Sequence, residues 1–123
     1  MIGLRREDVP KAIEGEGVEL RKQSVGAMTV AFVRAQKGTD LRPALKGLPD
    51  DMCQCPHWGY VLKGKVRMHT NAGQHDYEAG QAFYWAPGHA PEMLEDSEYV
   101  DFSPTQEFDD VIQHITNTGA ATR

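Results

Sequence analysis

The chain has 123 residues, 40% of them hydrophobic and 25% charged, with a net charge of -5. That length supports one domain with its own core and no need for disulfide staples. The acidic balance argues against nucleic acid as a partner, because phosphate binding needs a basic stripe; the longest strongly apolar run, AMTVAFV, is too short to span a bilayer.

Residues 1–24 are polar and charged, broken by Pro10, Gly15 and Gly17. They read as an N-terminal arm with room for one strand. The stretch MIGLRREDVPKAIEGEG has no apolar segment of a secretory leader, so the expected compartment is the cytoplasm. There, Cys53 and Cys55 are expected to be free or metal-bound. A disulfide between them, across a single residue, would be strained.

Residues 25–34 form a strand-like run that is apolar at both parities, with Val25, Ala27, Thr29, Ala31 and Val33 against Met28, Val30 and Phe32. A strand apolar on both faces is expected to be covered on both. LRPALKGLPDD reads as a loop or one helical turn. WGYVLKGKVRMHT reads as two strands meeting at Lys63-Gly64-Lys65, and RMHTNAGQHDYEAG as a hairpin turning at Asn71-Ala72-Gly73. QAFYWAPGH and SEYVDFS supply further strands. Ser103-Pro104 looks like a helix cap followed by proline at the first helical position. Phe108, Val111, Ile112 and Ile115 then recur at helical spacing, which predicts an amphipathic helix over 104–117 and a frayed tail after it. Many short strands and one terminal helix argue an all-β sandwich or barrel in a single domain.

Two stretches carry a family resemblance. HWGYVLKGKV followed by EAGQAFYWAPGH resembles the paired motifs of the cupin superfamily, and specifically the short single-domain bacterial cupins. Tyr60-Val61-Leu62-Lys63-Gly64 matches the end of the first motif. Gly80 and Gly88 match the second, although Pro87 stands one place late. The resemblance implies a single cupin-like jelly-roll β-barrel over 25–103, closed by the C-terminal helix. It also implies self-association, and the doubly apolar run 25–34 supports a homodimer.

The resemblance breaks at the family's metal ligands. His57 falls where the family carries a glutamate, seven residues before Gly64. The usual HxH pair would fall near Asp51 and Cys53, and the closing histidine at Pro91, two residues after His89. What remains is a metal-capable set of Cys53, Cys55, His57 and His89. Imidazole suits zinc, copper, iron and nickel, and thiolate suits zinc and copper(I). Three protein ligands would leave an open position for chemistry. The alternative is a metal-free pocket, with the cysteines acting as small apolar residues.

Tyr60, Phe83 and Trp85 are the expected aromatic lining of a pocket for a small organic molecule. Gly59 would leave room beside His57. A three-residue loop at 71–73 would also set His69 opposite His75 as a minor surface pair. The C-x-C spacing lacks the C-x-x-C of redox dithiols, and no carboxylate pair stands out for acid–base work. Three readings follow: a small-molecule binding module holding a divalent transition metal, a metal-dependent oxygenase, isomerase or lyase using His57 and His89, and a non-catalytic dimer with a vestigial pocket.

Overall fold

The structure is a computed structural model and describes residues 1–118. Nine strands run β1 (Lys11–Gly15), β2 (Val18–Val25), β3 (Met28–Ala35), β4 (His57–Lys63), β5 (Lys65–Thr70), β6 (Gly73–Glu78), β7 (Ala82–Trp85), β8 (Ala90–Met93) and β9 (Ser97–Pro104). A single helical turn, α1 (Arg42–Leu45), precedes β4, and α2 (Thr105–Thr118) ends the described chain. The strands form a six-stranded sheet in the order β1-β2-β3-β9-β4-β7 and a three-stranded sheet in the order β6-β5-β8. All named pairings are antiparallel. The two sheets enclose one core but do not close into a continuous barrel. No helix among the described residues is long and apolar enough to cross a membrane.

The N-terminal segment is more ordered than an arm. β1 and β2 make a hairpin, and β2 pairs along its whole length with β3. Val18 and Leu20 point inward while Glu19, Arg21 and Gln23 point outward; the charge density of the segment masks that alternation. The run 25–34 is likewise two elements. Gly26, at φ 65°, opens a two-residue turn that pairs Val25 with Met28, as expected for a hairpin with glycine at the first turn position. In β3, Thr29, Ala31, Val33 and Ala35 are buried, whereas Met28 is exposed and Val30 and Phe32 are half-buried. The chain by itself therefore covers only one face of that strand.

The hairpin β5–β6 turns on two residues, not three. Thr70 pairs with Gly73, which sets His69 against Gln74 and Met68 against His75. His69 and His75 are thus one register step apart and form no pair. His69 Nε2 instead meets Glu92 Oε1 at 2.8 Å.

The apolar stripe Phe108, Val111, Ile112 and Ile115 of α2 is buried. It packs on α1, β3 and β9 and covers the open end between the sheets. The helix starts one residue later than expected, and Ser103 does not cap it. Ser103 is the last inward residue of β9, fully buried, with its hydroxyl bonded inside the core. Of the expected tail, Thr118 belongs to α2 and residues 119–123 lie outside the described residues.

Candidate metal centre

Three segments converge beneath α2. Cys53 lies on the loop before β4 and bridges His89 on the loop before β8. The Cys53 N–H donates to the His89 carbonyl at 2.8 Å, and the Gly88 N–H donates to the Cys53 carbonyl at 2.8 Å. His57 opens β4 opposite Trp85. The result is a buried group of Cys53, His57 and His89 whose candidate ligand atoms all lie within 4.8 Å of one another. Cys53 Sγ is 3.6 Å from His57 Nε2, and the two imidazole centroids are 5.1 Å apart.

Hydrogen bonds fix how both rings face the centre. His89 Nδ1 lies 2.6 Å from the Ala86 carbonyl. A carbonyl only accepts, so Nδ1 carries the proton and Nε2 keeps its lone pair. His57 Nδ1 lies 2.6 Å from Ser103 Oγ, which in turn donates to Asp101 Oδ1 at 3.3 Å. With Asp101 ionised, that chain spends the single hydroxyl proton of Ser103 on Asp101 and makes Nδ1–H of His57 the donor. Both Nε2 atoms then carry the ring's lone pair, that of His57 facing the Cys53 thiol. This is the arrangement in which a partner on the far nitrogen orients a ligating histidine.

Burial sets the charge states. It pushes His57 down to about 3, helped by neighbouring His89, and lowers His89 as well. Both rings are therefore neutral at physiological pH, the form that binds metal. Burial raises the Cys53 thiol to about 12 and the Asp101 carboxyl to about 7. A metal ion at this point would have to displace the thiol proton.

The space around the cluster is small. A cavity of about 60 Å³ lies between it and the underside of α2, bounded by His57, His89, Trp85, Asp101 and Phe108 among others. An ion and a little water fit; an organic ligand, which needs roughly 300 Å³ or more, does not. A second hollow of about 310 Å³ opens beside it, lined by Thr70, His75, Tyr77 and Tyr84 and sharing Met68, Trp85 and His89 with the cavity. Trp85 Nε1 is the buried side-chain nitrogen or oxygen that lacks a hydrogen-bond partner among the described residues.

Several sequence expectations change here. Cys55 is buried and free but stands outside the cluster, its Sγ resting 3.4 Å from the Pro56 carbonyl. The backbone bridge to His89 selects Cys53 instead. Tyr60 is not a pocket residue. Strand parity sends His57, Gly59 and Val61 inward and leaves Tyr60 43% exposed on the other face. Phe83 is buried yet does not border the cavity; it stacks behind Trp85 at 3.6 Å between centroids and 11° between planes. Gly59 leaves no open space either, since a Cβ there would strike the Phe83 ring and the Val100 carbonyl. Trp85 does line the cavity.

Asp101, Ser103 and Tyr99 were missed. They are the inward residues of β9, and their alternation in SEYVDFSP was the available signal.

The donor set fits a transition metal. One thiol and two oriented, neutral imidazoles are the ligand types of zinc and copper centres. No carboxylate belongs to the cluster among the described residues, so a hard cation such as magnesium or calcium lacks its oxygen ligands.

No protein-family model matches the sequence, and no curated protein matches it. Solved structures do. An RmlC-like cupin from Shewanella frigidimarina aligns with a TM-score of 0.64 at 14% identity, covering 89% of this chain and 96% of that one. KdgF from a Halomonas species aligns at 0.61 and 21% identity, covering 85% and 94%. Ectoine synthase from P. lautus aligns at 0.63 and 12% identity, covering 89% and 85%. At such identities the likeness speaks to architecture, and the two sheets with their terminal helix are a cupin fold.

Proposed function

We propose that this chain is a small metal-binding cupin whose centre is held by Cys53, His57 and His89 and acts on a small molecule that approaches through the hollow beside Trp85. The observation that carries this reading is the convergence of three buried ligand atoms within 4.8 Å. A bound zinc or copper ion would supply Lewis acidity or an activated water. His57 and His89 would hold it through Nε2, and Ser103 and Asp101 would keep the His57 ring in place. Trp85, with its unpartnered N–H, would donate to an acceptor oxygen on the bound molecule. The apolar stripe of α2 would keep bulk water out.

The snug cover over the cluster favours a second reading, in which the ion is structural and the protein is not an enzyme. A cavity of about 60 Å³ leaves little room for a reacting molecule unless α2 shifts.

The test is elemental analysis of untagged protein, wild type beside Cys53→Ser and His89→Ala. About one metal per chain, lost in both variants, is the expected result. Absence of metal after loading with zinc, copper, iron or nickel would overturn the proposal. Cobalt substitution separates the two readings: an active centre changes its visible spectrum when small anions are added, and a structural one does not.

A further inference from the structure

The hollow beside Trp85 opens where the two sheets stop short of each other. β7 is an edge of the six-stranded sheet and β6 an edge of the three-stranded one, and each supplies part of the wall. Strand alternation decides what faces inward. On the β5–β6 hairpin, Met68, Thr70, His75 and Tyr77 line the hollow. Their neighbours Arg67 and Asp76 lie on the other face of the hairpin, paired with each other at 2.9 Å. Among the described residues, the wall therefore contains no Asp, Glu, Lys or Arg. The Thr70 hydroxyl is already engaged in the turn, donating to the Gly73 carbonyl and accepting from the Ala72 N–H. Much of what remains is aromatic. Tyr77 stands across the Trp85 ring at 5.8 Å between centroids and 71° between planes, and Tyr84 adds a second tyrosine from β7.

We infer that this hollow takes an uncharged, planar, one-ring molecule bearing a carbonyl or amide oxygen, and disfavours carboxylates, phosphates and amines of the same size. The inference rests on the functional reading above and narrows it to a class of ligand. A charged group entering the hollow would shed water and meet no opposite charge, and desolvating an unpaired charge is strongly unfavourable. A neutral ring gains instead, because aromatic side chains favour edge and face contacts with another ring. The volume, about 310 Å³, stands at the lower end of the roughly 300–1,000 Å³ of small-molecule pockets, which suits one ring with a small substituent. Trp85 is fixed by its stack on Phe83, and its N–H has no partner. An acceptor oxygen on the ligand would satisfy that donor, whereas an ammonium group would not.

Four probes of similar size test this: benzamide, benzoate, benzylamine and cyclohexanecarboxamide, each titrated into nitrogen-15-labelled protein with and without zinc. The readout is the indole N–H resonance of each of the two tryptophans, with Trp58→Phe identifying the one that belongs to Trp85. Benzamide should shift the Trp85 resonance saturably. Its Kd should be about tenfold below those of benzoate and benzylamine, as unpaired charge predicts, and several-fold below that of cyclohexanecarboxamide. His75 is exposed on β6, so His75→Lys should leave the far-UV spectrum unchanged and raise benzoate affinity above that of benzamide. If His75→Lys fails to fold, Tyr84→Lys takes its place. No saturable shift, a shift confined to Trp58, equal Kd values for the four probes, or a lysine that leaves their order unchanged would overturn the inference. Benzamide binding by protein that takes up no metal would uphold the ligand class and end the metal reading. Metal uptake without benzamide binding would do the reverse.

Discussion

Phe108→Ala probes the cover over the Cys53, His57 and His89 cluster. The Phe108 ring sits edge-on to His57, 5.6 Å between centroids and 85° between planes, and it borders the cavity. Removing a buried phenylalanine costs about 3–5 kcal/mol. This site belongs in the upper half of that range, because strand walls cannot collapse into the gap and the new void joins an existing one of about 60 Å³. Deleting the ring adds about 100 Å³, which at about 24 cal/mol per Å³ contributes about 2.4 kcal/mol, with lost transfer energy supplying the rest of about 4 kcal/mol. Against a domain stability of about 5–15 kcal/mol that is a large fraction. Urea unfolding followed by circular dichroism should show a midpoint lowered by about 2 M, for a slope of about 2 kcal/mol per M. Exposed Gln113→Ala on the same helix should stay within about 0.5 kcal/mol of wild type. Cys53, buried in the folded protein, should react faster with a thiol reagent in Phe108→Ala under native conditions. A loss below about 1 kcal/mol, with thiol reactivity unchanged, would refute the assignment of α2 as the cover.

Gly59→Ala should destabilise by about 1–3 kcal/mol through overpacking, since the added Cβ meets both the Phe83 ring and the Val100 carbonyl; an unchanged melting temperature would count against the packing described. Glu98 accepts from Arg34 at 2.6 Å and from Arg6 at 2.8 Å, and the Arg34 hydrogen bond is the main reason its carboxyl is held below the usual value of 4.5. A depressed carboxylate contributes stability that is present above its unfolded pKa and lost as the pH falls through the folded one. Glu98→Gln should therefore cost about 1 kcal/mol at neutral pH, and the gap should close in acid; a gap that stays constant with pH would contradict the ion pair. Ser103→Ala should weaken metal binding about 10–100-fold by releasing the His57 ring, as read by competition with a chelator, while the far-UV spectrum stays the same.

Local chemistry was readable in the sequence wherever one residue type settles the geometry. The helical spacing of Phe108, Val111, Ile112 and Ile115 gave α2, and Lys63-Gly64-Lys65 gave the β4–β5 junction. The presence of His57, His89 and a cysteine in one centre was also legible. Which cysteine joins them was not, because the choice rests on a backbone bridge between residues 53 and 89. Register at the β5–β6 turn was misjudged by one residue, and that step was enough to separate His69 from His75.

The harder failure concerns which side of a strand faces the core. In β9 the apolar residues Val100 and Phe102 point out, while Tyr99, Asp101 and Ser103 point in. In β4 Trp58, Tyr60 and Leu62 point out, while His57 and Gly59 point in. A rule that puts the greasier parity inside would therefore invert both strands. The inversion has a physical reading. The inward face gives up apolar surface to seat a hydrogen-bonded chain from Asp101 through Ser103 to His57, a use of core positions that hydrophobic burial alone does not select. The two departures from simple amphipathic patterning thus separate by face: polar groups stand inside around the Cys53, His57 and His89 cluster, and half-exposed aromatic groups stand outside.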